Sequence, residues 1–272
     1  MALEHAPLGK SSEYPEHYAP ELLFPVPRRD NRQGIGLEDG RWPWFGSDYW
    51  QAWEISWIRP NGVPAVAWAV IEVPAASPSI IESKSLKLYL NSLNQETFSD
   101  ASQVTERIEQ DLSSASGAAV HCRLHSVDEG ATVPGRPAEY QLIDDEPIDV
   151  DGYEPCPERL QASGPVVTES LCSHLLKSNC PVTGQPDWGS LLIHYSGPKI
   201  DRAGLLAYVV GFRQKQDFHE HCVETVFTEL MARCQPQSLT VSAHYTRRGG
   251  LDINPWRSTG PGQPECLRLV RQ

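Results

Sequence analysis

Cys180 and Asp187 stand seven residues apart in Ser178-Asn179-Cys180-Pro181-Val182-Thr183-Gly184-Gln185-Pro186-Asp187-Trp188-Gly189. Two prolines stiffen this segment and Gly184 leaves it free to turn, so a thiol and a carboxyl can face the same pocket between two strands. A thiolate so placed attacks an electrophilic carbon, and a protonated Asp beside it supplies the proton that the product anion needs. The plainer alternative is an ordinary turn around a buried Cys, the common fate of a free cysteine. The comparable turn of the first half, Asn61-Gly62-Val63-Pro64, has neither Cys nor Asp, so the second half carries something the first lacks.

Asp217-Phe218-His219-Glu220-His221 is the next constellation. Imidazole and thiolate suit zinc, which gives one reading with His219, His221 and Cys180 as ligands. A second reading is recognition: Glu220 accepts two parallel N–H bonds from an amidine edge, with Phe218 or His219 against the ring. For His221 the simpler expectation is a satisfied surface histidine. In Glu82-Ser83-Lys84-Ser85-Leu86-Lys87-Leu88-Tyr89, Lys84 and Lys87 can meet phosphate while Ser83 and Ser85 donate to it. The alternative there is a solvated strand edge. Arg247-Arg248-Gly249-Gly250 pairs arginines with glycines and also suits a phosphate-bearing ligand. Neither G-x-G-x-x-G nor a Walker motif is present, so a nucleotide would be held outside those schemes.

These residues need elements to position them. Trp53, Ile55 and Trp57 alternate with polar neighbours and read as a strand, although Trp50, Trp53 and Trp57 also fit a helical spacing. Asn61-Gly62 marks a turn and Val63 to Val73 a second strand. Leu86, Leu88 and Leu90 alternate in Ser85 to Leu93, a helix is expected at Ser102 to Ser113, and a strand with Val120, Cys122 and Leu124 follows. A step of 119 residues carries Tyr89 to Tyr208, Leu93 to Phe212, Gln95 to Gln214, and Val104, Ile108 and Leu112 to Val223, Phe227 and Met231. One offset across several elements points to tandem copies of one unit. Short Asn-Gly and Gly-Pro connections make the strands antiparallel, hence an α+β class. Residues 131 to 165, rich in proline and with an acidic run from Asp144 to Asp151, read as the crossing between modules 1–155 and 156–272.

Composition bounds the rest. The chain has 272 residues, 23 Lys and Arg against 35 Asp and Glu, and a net charge of −12, which disfavours a polyanion or anionic membrane as partner. The longest apolar stretch, Val63 to Ile71, contains Pro64 and is far shorter than the roughly 20 residues a bilayer demands. The start, Met1-Ala2-Leu3-Glu4-His5, lacks the features of a secretory leader. Seven cysteines (Cys122, Cys156, Cys172, Cys180, Cys222, Cys234 and Cys266) without a C-x-x-C pair fit a reducing cytoplasm.

Taken together, these segments resemble the NADPH-dependent 7-cyano-7-deazaguanine reductases, the nitrile reductases of queuosine biosynthesis, in their two-module form. The likeness rests on Glu82 to Tyr89, Ser178 to Asp187, Asp217 to Glu220 and Arg248 to Pro255, with Leu22 to Arg28 and Trp50 to Trp57 also similar. The resemblance implies tandem tunnelling-fold modules, antiparallel sheets with helices on one face, usually as a homodimer with purine-like ligands at module or subunit interfaces. It implies Cys180 as nucleophile, forming a thioimide with the nitrile, and Asp187 as proton donor, with its pKa raised and Cys180 activated. Position alone suggests His219 as an aid to the second proton transfer. Ile81, Glu82, Ser83, His219 and Glu220 would contact the deazaguanine, and Ser83, Lys84, Arg248 and Gly249 would contact NADPH, with no metal. The competing expectations are a zinc-dependent cyclohydrolase of the same fold and a purine-binding module without catalysis.

Overall fold

The structure, a computed structural model, describes residues 15, 17–37, 40, 42–127, 136–150, 152–262, 264, 268, 269 and 272. The start at Met1 to His5, Cys266, Asp151 and the first residues of the 131–165 stretch lie outside the described residues. In chain order the elements are β1 (Pro25–Pro27), α1 (Arg29–Gly34), β2 (Phe45–Ile58), β3 (Pro64–Pro74), β4 (Ser79–Ile81), α2 (Ser83–Ser92), α3 (Ala101–Ser116), β5 (His121–His125), β6 (Gln141–Leu142), β7 (Ala162–Ser173), β8 (Lys177–Asn179), β9 (Pro186–Ile200), α4 (Arg202–Gly211), α5 (His219–Cys234), β10 (Ser238–Tyr245) and β11 (Leu251–Ser258). They form two compact units. The first draws its described residues from Met1–Asp30, Ser47–Thr132 and Arg247–Ile253, the second from Asn31–Gly46, Val133–Thr246 and Asn254–Gln272.

In the first unit β3 pairs antiparallel with β2 on one side and β5 on the other. Alternation along the strands sends Trp50, Ala52, Ile55, Ala67, Ala69 and Ile71 to one face, where they meet Leu86, Tyr89, Leu90 and Leu93 of the α2 region and Val104, Ile108 and Leu112 of α3. The four-residue spacing of those last three puts them on one stripe, and burying each is worth roughly 1.5–3 kcal/mol. Asp100 caps α3 by accepting from the amides of Ser102 and Gln103, and Gly117, at φ +78°, ends it in the left-handed conformation.

In the second unit β9 is central: β10 and β7 flank it antiparallel, β8 folds back on its first residues, and β11 extends the sheet through β10. α5 packs its apolar face, including Val223, Val226, Phe227 and Leu230, against this sheet. β6 pairs parallel with β7, an exception to the expected antiparallel rule. It lies within the stretch expected to be a crossing, where Ile143 and Leu160 are buried and Asp144 accepts from the Ser173 hydroxyl at 2.6 Å.

The 119-residue step maps α2 onto α4 end to end and α3 onto α5 within one residue. Two expectations change. Ser85 to Leu93 is helix α2 and its 3-10 extension rather than a strand, because Leu86, Tyr89, Leu90 and Leu93 also repeat at helical spacing and the Glu82 carboxylate caps the first turn. The Lys-Ser segment is therefore a helix start rather than a strand edge. The pairs Gly164-Pro165 and Gly197-Pro198 sit inside β7 and β9 instead of connecting strands; the first fills a bulge between Ser163 and Val166, with Gly164 at φ +82°. The Trp50 to Trp57 segment is strand β2. Among the described residues no helix is long and apolar enough to cross a membrane.

Candidate active site

The thiol and carboxyl sit on one hairpin of the second unit. β8 pairs with the start of β9 so that Ser178 lies opposite Asp187 and Asn179 opposite Pro186. The ladder continues one step, the Cys180 amide donating to the Gln185 carbonyl at 2.8 Å, and Gly184 (φ +67°) closes the turn by donating to the Cys180 carbonyl at 3.0 Å. Cys180 lies two residues past Ser178, so it and Asp187 are diagonal neighbours on one face of the hairpin. Both are buried, at 2% and 3% exposure.

α5 brings its first residues to the same place. His219 Nε2 lies 3.1 Å from Asp187 Oδ2, though not aligned as a hydrogen bond. The imidazole stacks on Tyr245 of β10, centroids 3.8 Å apart and planes 10° from parallel. Glu220 is 2% exposed in the first turn of α5, where a carboxylate is favoured by the helix dipole. Burial pushes the thiols of Cys122, Cys172 and Cys222 up to about 12 and that of Cys234 to about 11, so these four stay protonated near neutrality and are poor nucleophiles. Among the described residues no group of three or more His, Cys, Asp and Glu could hold a metal ion, so the zinc reading of Cys180, His219 and His221 finds no ligand set.

His221 is not a surface residue. It is 3% exposed and meets the Asn31 amide and, at 3.3 Å, Asp217. Burial works against the Asp217 carboxylate, yet the hydrogen bond and charge of His221 and the ammonium of Lys215 outweigh it, leaving Asp217 below its ordinary range. One turn further along α5, the fully buried Glu224 carboxylate accepts from Arg32 at 2.7 Å and from Arg257 at 2.8 Å, with Trp42 and Trp44 over the Arg32 guanidinium. Chain positions far apart in sequence thus fix the start of α5.

The remaining predicted residues lie in the first unit. Ile81 ends β4 and is buried. Glu82, 1% exposed, accepts from the Lys84 amide at 2.7 Å and the Ser85 amide at 2.9 Å. Burial pushes its carboxyl up, partly offset by those amides. Ser83 and Lys84 are half-buried on the first turn of α2. Arg248 and Leu251 bond each other across Gly249 (φ +61°) and Gly250 (φ +84°), a two-residue turn whose central positions both demand left-handed backbone. A Cβ on Gly249 would come 2.7 Å from the Lys87 side chain. A cavity of about 230 Å³ opens beside this turn, lined in part by Ser56, Lys87, Asn91, Asn94, Gly249 and Gly250. The Asn91 and Asn94 amides and Lys87 are groups that can meet a phosphate, and Glu54 puts a carboxylate in the same lining.

Sequence reading missed Tyr245, Ser178 as a partner of Asp187, and the Arg32–Glu224–Arg257 cluster. The alternation of Val241, Ala243 and Tyr245 places the tyrosine on the buried face, which was the available signal; the arginines gave none, since buried Arg is rare.

Comparison with known proteins gives the family. Residues 14–124 match the family model described as "Nitrile reductase, 7-cyano-7-deazaguanine-reductase N-term", and residues 186–263 match "QueF-like protein". A protein of Chromohalobacter salexigens named NADPH-dependent 7-cyano-7-deazaguanine reductase is 53% identical over 99% of this chain and 98% of its own length. Proteins of the same name from Bordetella avium (51% identical, all of both chains) and Azoarcus sp. (52%, over 96% of this chain and 92% of the relative) are similar. With half of its residues shared along almost its whole length, the chain belongs to the NADPH-dependent 7-cyano-7-deazaguanine reductase family.

Proposed function

We propose that this protein reduces the nitrile of 7-cyano-7-deazaguanine to the aminomethyl group, for queuosine biosynthesis. The observation that carries the reading is the buried hairpin that sets Cys180 and Asp187 on one face with His219 beside Asp187. A nitrile carbon is a poor hydride acceptor because reduction would leave charge on an unprotonated nitrogen. The Cys180 thiolate adds to that carbon, one π pair of the triple bond moves to nitrogen, and Asp187 gives nitrogen its proton, forming a thioimide. NADPH, when bound, supplies one hydride to the thioimide carbon and a second to the imine that remains once the C–S bond has broken. His219, 3.1 Å from Asp187, serves proton return to that carboxylate between the two reductions.

Ile81, Glu82 and Ser83, with His219 and Glu220, are the proposed contacts of the deazaguanine; Glu220 accepts from its amidine edge. Ser83, Lys84, Arg248 and Gly249 are the proposed contacts of NADPH, supported by the glycine turn and the cations around it. The repeated order of elements supports two tandem tunnelling-fold modules; the cytoplasmic homodimer is carried over from the family resemblance alone. The net charge of −12 supports a small-molecule substrate rather than nucleic acid or an anionic membrane. The test is NADPH oxidation with the cyano compound. Two NADPH consumed per amine formed is expected; tight binding of the compound without NADPH loss would instead leave a purine-binding module.

A further inference from the structure

We infer that Tyr245 is a positioning residue that holds the imidazole of His219 beside Asp187. The inference rests on the function proposed above, and its physical basis lies in how the tyrosine is held. Tyr245 ends β10 opposite Gly189, two residues past Asp187 on β9 and on the same face. A Cβ at Gly189 would come 3.1 Å and 3.3 Å from the Cδ1 and Cε1 atoms of Tyr245, so the glycine is what leaves room for the ring. Its face meets His219 at 3.8 Å, and its hydroxyl reaches the Cys222 thiol, with the Ser178 hydroxyl also beside that thiol. Tyr245 is fully buried, so the ring has little freedom to tilt.

Two further observations point the same way. The Ser178, Tyr245 and His219 polar atoms are all buried without an aligned hydrogen-bond partner, a concentration that a purely structural core avoids. His219 is therefore oriented by ring contact on one side and the Asp187 carboxyl on the other, instead of by a bond to a carbonyl. The first unit, at the positions matching Ser178, Asp187, His219 and Tyr245, has Trp57, Ala65, Asp100 and Ser126, and so has no such stack.

The experiment compares Tyr245→Phe, Tyr245→Leu and Gly189→Ala with wild type, using histidine-labelled protein for NMR and steady-state kinetics with the cyano compound and NADPH. Stacking on the tyrosine imposes a ring-current shift on the His219 carbon-bound protons, identified by their loss in His219→Gln. Tyr245→Phe should keep that shift and keep kcat within about threefold. Tyr245→Leu should lose it and lower kcat about 10- to 100-fold, with KM changed less than about threefold, as expected for misplacement of a group near the chemistry. Should Tyr245→Leu fail to fold, Gly189→Ala carries the test: crowding the ring should move the His219 resonances and lower kcat with KM kept. Unmoved His219 resonances in Tyr245→Leu or, should that variant fail to fold, in Gly189→Ala, or equal kcat losses in the Phe and Leu variants, would overturn the inference. Absence of wild-type turnover would count against the proposed function, while the NMR arm would still decide whether the stack exists.

Discussion

The two units contain the same hairpin with different side chains. In the first, the Ile58 amide donates to the Glu96 carbonyl at 2.8 Å and the Phe98 amide to Ile58 at 3.0 Å; in the second, Asn179 donates to Lys215 at 2.8 Å and Asp217 to Asn179 at 3.0 Å. Arg59 bonds Val63 and Gly62 as Cys180 bonds Gln185 and Gly184, the second loop being one residue longer, and both glycines have positive φ. Arg59-Pro60 thus corresponds to Cys180-Pro181, and Pro64-Ala65 to Pro186-Asp187. Arg59 is exposed and Ala65 buried, whereas Cys180 and Asp187 are both buried. The backbone is a scaffold that both units share, and the proposed chemistry rests on a few side chains in which they differ.

Restoring the first unit's residues in the second breaks that difference. Asp187→Ala, which copies Ala65, should lower kcat about 10²- to 10⁴-fold by removing the proposed proton donor, read from NADPH consumption. Retained activity would show that proton delivery does not need this carboxyl. Next in size is Glu224, where the first unit has Thr105, a half-buried residue. Glu224→Gln leaves two buried guanidiniums without their shared carboxylate and should cost about 3–5 kcal/mol in chemical denaturation. A loss under about 1 kcal/mol would remove the cluster as an anchor for α5.

The smallest effect concerns Asp217, which corresponds to Phe98. Its folded-state pKa is depressed, so its contribution is complete above the unfolded value of about 3.9 and is lost as pH falls through the lower folded value. Thermal unfolding from pH 3 to 7 should show wild type ahead of Asp217→Asn above about pH 4, the gap narrowing on further acidification. A gap that widens toward low pH would contradict the assignment.

The legibility of these features in the sequence followed their range. Cys180 and Asp187 were readable because prolines and a glycine between them fix a local hairpin. α3 was readable because Val104, Ile108 and Leu112 span a long enough window for one period to win. α2 misled because the alternation of Leu86, Leu88 and Leu90 is too short to exclude a helical period, and the deciding Glu82 cap is a side-chain contact. His221 seemed a surface residue because its burial comes from Asn31, 190 positions away. The stack of His219 on Tyr245 joins a helix start to a strand end, and no local pattern announces such a meeting.

The central claim is that the Cys180 sulfur bonds to the nitrile carbon before any hydride arrives. Intact-mass measurement of the protein mixed with 7-cyano-7-deazaguanine, without NADPH, tests it most directly. The wild-type chain should gain the mass of one substrate molecule and Cys180→Ala should gain none. An equal gain in both proteins, or none in wild type that turns over, would contradict the account.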